Sequence, residues 1–207
     1  MPPSDGRLAK LDPLQQRLLA AIIDLEPAPR LTGGAALIAG YLGHRRTRDL
    51  DLFWRERETL DDLPARVQGC FRAAGLTHLK VVTRAPSFVR LQVREGQAQT
   101  LVDLVAEPLE PVAPGQRLEL PGGSIWMDSA QEILTNKLVA LLSRSEVRDL
   151  QDAAALVDAG LNLEAALDAA PSRDAGFSPM MLAWVLKQAP FAVLAKRAGL
   201  PEATTSR

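Results

Sequence analysis

The sequence has one cysteine, Cys70, few aromatics (4% Phe, Trp and Tyr) and no charge excess, with 24 Lys and Arg against 25 Asp and Glu for a formal charge of -1. A lone cysteine excludes an intramolecular disulfide framework and a structural zinc site built on several thiolates. Balanced charge disfavours a nucleic-acid or membrane binder that works through a wholly basic surface, and leaves room only for a local basic patch. No apolar run reaches the about 18 residues of a bilayer span. Residues 1–6 carry no charged-then-apolar export pattern. The expectation is a cytoplasmic protein with no membrane partner, whose core rests on Leu, Ala and Val.

What is present divides in two. Residues 1–127 read as a mixed α/β core with an N-terminal helix, and residues 128–207 as a helical region. Asp12-Pro13 supplies an N-cap and a proline at the first helical position, and Leu14, Leu18, Leu19, Ile22 and Ile23 follow at helical spacing. The first ten residues are polar and expected to be mobile. A short strand at 30–32 runs into Gly33-Gly34, where a second apolar helix opens. Leu50, Leu52 and Trp54 alternate with Asp49, Asp51 and Phe53, the period of a strand. A helix over 60–74 closes at Gly75. Strands follow at 79–83, 88–93 and 100–106, the last two joined by a turn at Glu95-Gly96. A smaller hairpin turns at Pro121-Gly122-Gly123. From Asp128 the pattern is helical, with capping-box spacing at Asp128/Gln131 and Ser143/Glu146, further caps at Asn162 and Ser178, and a weakly helical tail.

Asp49 and Asp51 lie two residues apart on a strand, so their side chains share a face. Adjacent carboxylates repel unless a cation sits between them, and a hard divalent ion prefers such oxygen ligands. An exposed pair on an edge strand is the plain alternative. Asp103 lies in Leu101–Val105, a run apolar on both faces, where an ionised carboxylate needs a metal, hydrogen bonds or an arginine partner. Gly33-Gly34 between strand and helix allows close backbone approach to a phosphate. Lys137 rises from the rim of an apolar helical stripe, either snorkelling to water or reaching a phosphate as a point charge. An unbroken helix would put Lys137 about 18 Å from Asp149, and a break near Ser143 would bring them closer. Arg148 and Asp152 are spaced for a surface bridge. His44-Arg45-Arg46-Thr47-Arg48 places cations just before the acid pair, suited to triphosphate or RNA backbone. Neither His44 nor His78 has a ligand set or a nucleophile motif, and Cys70 reads as core.

Thr32-Gly33-Gly34, then Arg48-Asp49-Leu50-Asp51-Leu52-Phe53, then Asp103 resembles the nucleotidyltransferase superfamily that includes DNA polymerase β. The fuller strings Gly33–Leu37 and Gly43–Phe53, with Glu132–Leu141 and Arg148–Asp152, resemble the AbiEii/AbiGii toxin family over roughly residues 30 to 160. The resemblance implies an α/β fold: a nucleotidyltransferase-like mixed sheet flanked by helices, followed by a C-terminal helical bundle. It implies Asp49, Asp51 and Asp103 as ligands of Mg²⁺ or Mn²⁺, with Lys137 among the catalytic residues. It places Gly33, Gly34, Arg48, Lys137 and Asp149 on the nucleotide side. The activity implied is a Mg²⁺-dependent transferase using an NTP such as ATP, the toxin of a toxin–antitoxin pair, acting on tRNA or other RNA and held by a cognate antitoxin protein. A transferase for small molecules such as aminoglycosides, and a non-catalytic member that binds nucleotide or a partner, stay open as alternatives.

Overall fold

Leu50, Leu52 and Trp54 are sealed from water while Asp49, Asp51 and Phe53 keep partial exposure, so strand β2 (Asp49–Arg55) buries one face and leaves the other polar. In a computed structural model that describes residues 6–190, this strand lies at the centre of a seven-stranded mixed sheet of order β3-β4-β5-β2-β1-β7-β6. The other strands are β1 (Arg30–Thr32), β3 (His78–Ala85), β4 (Phe88–Glu95), β5 (Ala98–Glu107), β6 (Gln116–Leu120) and β7 (Gly123–Met127). The β2–β5 and β1–β7 pairs are parallel and the rest antiparallel. Val89, Leu91, Val93, Val102 and Leu104 continue the buried face of Leu50 and Leu52 across the sheet. Each such side chain contributes about 1.5–3 kcal/mol by leaving water.

Helix α1 (Pro13–Ala20) starts at a full capping box, in which Asp12 accepts from the Gln15 N–H and the Gln15 side chain accepts from the Asp12 N–H. Its Leu14, Leu18 and Leu19 are buried. Just before it, Leu8–Lys10 forms one 3₁₀ turn rather than the mobile lead expected for that stretch, tied by Arg7, which donates to the Gly40 and Tyr41 carbonyls. Helix α2 (Gly33–Ala36) opens at Gly33, which has φ +61°, and continues as a π turn over Leu37–Tyr41. Helix α3 (Leu63–Ala73) buries Leu63, Val67 and Phe71 and ends before Gly75.

Contacts divide the chain into two compact units, Met1–Ser129 and Ala130–Arg207. The second holds α4 (Ala130–Arg144), α5 (Val147–Asp158), α6 (Leu163–Ala169) and α7 (Pro179–Gln188). The break between α4 and α5 falls at Ser145, with φ +49°, and Glu146 rather than Ser143 stands at the N-cap of α5. The Asp128 side chain pairs with Arg55 and so does not serve the capping box expected with Gln131. Asn162 and Ser178 cap α6 and α7 by accepting from the Ala165 and Met181 N–H groups. Among the described residues no helix is long and apolar enough to cross a membrane. The weakly helical tail read from the sequence lies outside the described residues from 191 onward.

Candidate active site

Strand register builds the polar face of the first unit row by row. Asp51 of β2 is the in-register partner of Asp103 of β5, Asp103 is opposite Arg90 of β4, and Asp51 is opposite Thr32 of β1. Arg90, Asp103, Asp51 and Thr32 therefore form one cross-strand row, with neighbouring strands about 4.8 Å apart. Asp49 stands on the same face one pleat along β2, in register with Leu101. The next row in the other direction runs Phe88, Val105, Phe53, Arg30 and Trp126. All three aspartates singled out from the sequence thus share one sheet face.

Their side chains are not gathered into a ready ligand cluster: among the described residues no group of three His, Cys, Asp or Glu is arranged to hold a metal ion. Arg90 stands among these carboxylates. Its Nε and Nη2 donate to Asp103 Oδ1 and Oδ2 at 2.7 and 2.6 Å, a two-pronged grip. The arginine partner expected as one of the explanations for a carboxylate in this strand is therefore present. These bonds hold the Arg90 proton well above the ordinary arginine value; burial opposes this, while the charges of Asp103, Asp49 and Asp51 reinforce it. One guanidinium thus senses all three carboxylates.

Gly33 is required where it stands. Its φ of +61° is left-handed, and a Cβ there would collide with the Asp51 carboxylate. The backbone bend at the start of α2 consequently lies directly against Asp51. A Cβ on Gly34 would come within 2.9 Å of Arg45 Nη2 and 3.2 Å of Thr47 Oγ1, which places the loop before β2 over the same bend. Arg48, His44 and Arg46 are exposed on that loop. A cleft lined by Thr59, Asp61, Arg84 and Val89 among others includes none of these residues.

In the second unit the helix break folds Lys137 back onto α5. Lys137 Nζ lies 2.7 Å from Asp149 Oδ1 and 2.8 Å from Asp152 Oδ2, and Lys137 is only 8% exposed. The ammonium does not snorkel to water. Arg144 adds a second cation on Asp149, its Nε donating to Oδ2 at 2.7 Å. Burial pushes the Asp149 carboxyl up, but the Arg144 hydrogen bonds and the Lys137 ammonium outweigh it and hold the group below the ordinary carboxylate value. Asp152 is fully buried and takes the Lys137 ammonium, so it is not the surface residue expected from its i,i+4 spacing to Arg148. Arg148 pairs with Glu146 at 3.1 Å.

Sequence reasoning missed Arg90, the pairing of Asp152 with Lys137 and the stack on Trp126, whose ring lies 5.4 Å from Arg30 Cζ and 4.6 Å from Arg117 Cζ. Arg90 was within reach, because the turn after Glu95 pairs Glu95 with Ala98 and counting back sets Arg90 opposite Asp103. Nothing local marks Asp152 or Trp126.

Residues 17–187 match the family described as "Nucleotidyl transferase AbiEii toxin, Type IV TA system". No curated protein matches the chain. Among solved structures, JHP933 from Helicobacter pylori is similar at 18% identity and a TM-score of 0.55, over 98% of this chain and 94% of that one. The antibiotic-resistance factor ANT(2'')-Ia is similar at 13% identity and a TM-score of 0.54, over 82% of this chain and 92% of that one. MenT4, a nucleotidyltransferase toxin from Mycobacterium tuberculosis, is similar at 19% identity and a TM-score of 0.51, over 66% of this chain and 54% of that one. At these identities the likeness shows a common fold, a nucleotidyltransferase-like mixed sheet flanked by helices with a helical part after it.

Proposed function

The chain belongs to the AbiEii nucleotidyltransferase toxin family, and we propose that it moves a nucleotide from an NTP onto a hydroxyl of RNA in a divalent-cation-dependent reaction. The acceptor class in this reading is tRNA, and the protein partner is a cognate antitoxin. One observation supports it above the rest: Asp51 and Asp103 are in-register neighbours on parallel strands, with Asp49 on the same face.

The residues fit a divalent cation. The donors are hard carboxylate oxygens, and a cationic group, the Arg90 guanidinium, already stands among them. Asp49, Asp51 and Asp103 would hold Mg²⁺ or Mn²⁺, which when bound supplies charge neutralisation on a triphosphate and acidifies an acceptor hydroxyl. The chain's own residues do the rest. Gly33, which has no Cβ, lets the Asp51 carboxylate lie against the backbone bend that opens α2. Gly34 continues that bend, and Arg48, exposed just before Asp49, offers a cation to the triphosphate or to RNA backbone. Asp103, in register beside Asp51, is a proton acceptor for the attacking hydroxyl. Lys137 and Asp149, the nucleotide-side residues that the family resemblance implies, belong to the second unit, where they pair with each other and with Asp152 and Arg144.

The test is incubation with each α-labelled NTP, Mg²⁺ and total RNA. Labelled RNA that disappears with EDTA and with Asp51→Ala is the expected result. Label on an aminoglycoside and none on RNA would replace the acceptor, and no product with any acceptor would leave a binding protein.

A further inference from the structure

The ion pairs on buried acids fall into two kinds. Arg55–Asp128 and Arg173–Glu132 are sealed at both ends, with side-chain exposures of 6% and 0%, and 5% and 0%. Such pairs are fixed, because releasing either arginine would strand a carboxylate in the interior. Arg90–Asp103 differs, as does Arg144–Asp149 in the second unit with 55% and 1%: the Asp103 side chain is 11% exposed but that of Arg90 40%. Arg90 already meets water, so swinging it outward costs little desolvation, and it lies 5.7 Å from the Phe88 ring on the same strand while it holds Asp103. Asp103 cannot follow, because the β2–β5 register pins it beside Asp51.

The contact is also competitive in its chemistry. Both carboxylate oxygens of Asp103 are engaged by Arg90, so a dication can take this carboxylate in the same two-pronged geometry only by displacing the N–H donors. With Arg90 turned away, the third carboxylate becomes a full ligand, and the guanidinium is released on the row next to the reacting groups, where an anion is its natural partner.

We propose that Arg90 is a positioning residue: it occupies Asp103 as a built-in counter-ion and yields it to a divalent cation, so that the third carboxylate joins the metal site only as the guanidinium leaves. This rests on the metal-dependent reading of the face. An adjacent cation lowers a carboxylate's affinity for a proton by about 10- to 1000-fold, and a dication faces the same repulsion.

Mn²⁺ titration of the purified chain without nucleotide, followed by the free-Mn²⁺ EPR signal, tests it. Arg90→Gln should bind Mn²⁺ at least about tenfold more tightly than wild type. Arg90→Lys, which keeps the charge but loses the two-pronged grip, should fall between. In an Asp103→Asn background the Arg90→Gln substitution should have no effect, and in wild type the Arg90 Nε–Hε NMR signal should move as Mg²⁺ is added. Structural damage would weaken binding, so tightening is not its signature. Mn²⁺ binding by wild type that Arg90→Gln and Arg90→Lys leave unchanged or weaken overturns the role of Arg90 alone. Failure of all these proteins to bind Mn²⁺ overturns the metal reading and this proposal with it.

Discussion

Asp51 and Asp103 are side-by-side neighbours on parallel strands although a helix and two strands separate them in the chain. Like charges at that spacing lower stability unless something positive answers them. Arg90 answers on the Asp103 side. The bend at Gly33 closes on the Asp51 side, and the consequences can be measured.

Gly33→Ala should destabilise the first unit and displace Asp51 together. A left-handed φ costs a non-glycine residue about 1–2 kcal/mol, before the collision of its Cβ with the carboxylate is counted. Urea denaturation should therefore show a loss of at least about that size, accompanied by loss of nucleotide transfer. A melt indistinguishable from wild type would mean that the bend is not held as described.

Lys137→Met should be among the most damaging substitutions in the second unit. It leaves Asp149 with Arg144 alone and strips the 2.8 Å cation from Asp152, which is fully buried. Breaking a buried pair from one side costs about 3–5 kcal/mol. A chemical denaturation midpoint near that of wild type would show that the ammonium is not a structural counter-charge.

Acid should loosen this cluster. Asp149 titrates below its ordinary value of 3.8 in the folded chain, so the unfolded state takes up the proton first as pH falls. Its contribution to stability is complete above the unfolded value and drains away as pH drops through the folded one. Urea melts of wild type and Asp149→Asn should differ most near neutral pH and converge below about pH 3.8. A difference that stays constant down to acid would contradict the ion-paired state.

The elements that carry the site were legible where a local signal exists. Alternation of Leu50, Leu52 and Trp54 with the aspartates fixed which face of β2 is polar, and the turn after Glu95 tied β4 to β5. The helix break that brings Lys137 to Asp149 was foreshadowed by cap-like residues, though it falls at Ser145 rather than Ser143. The parallel β2–β5 register was not legible, because no tight turn joins those strands and nothing between them counts the offset. The burial of Asp152 was not legible for a related reason: i,i+4 spacing to Arg148 suggests a surface bridge, but the packing of α5 against α4 buries Asp152 on Lys137.

The most direct test of the three-carboxylate centre is Mg²⁺-dependent transfer of label from an NTP to RNA by Asp51→Asn beside wild type. Outer-shell partners of a metal are each worth about 10–100-fold, so loss of a ligand should lower transfer by more than about 100-fold. The variant should still unfold in one cooperative transition, which separates loss of transfer from loss of fold. Transfer within a few-fold of wild type by the folded variant would contradict the account.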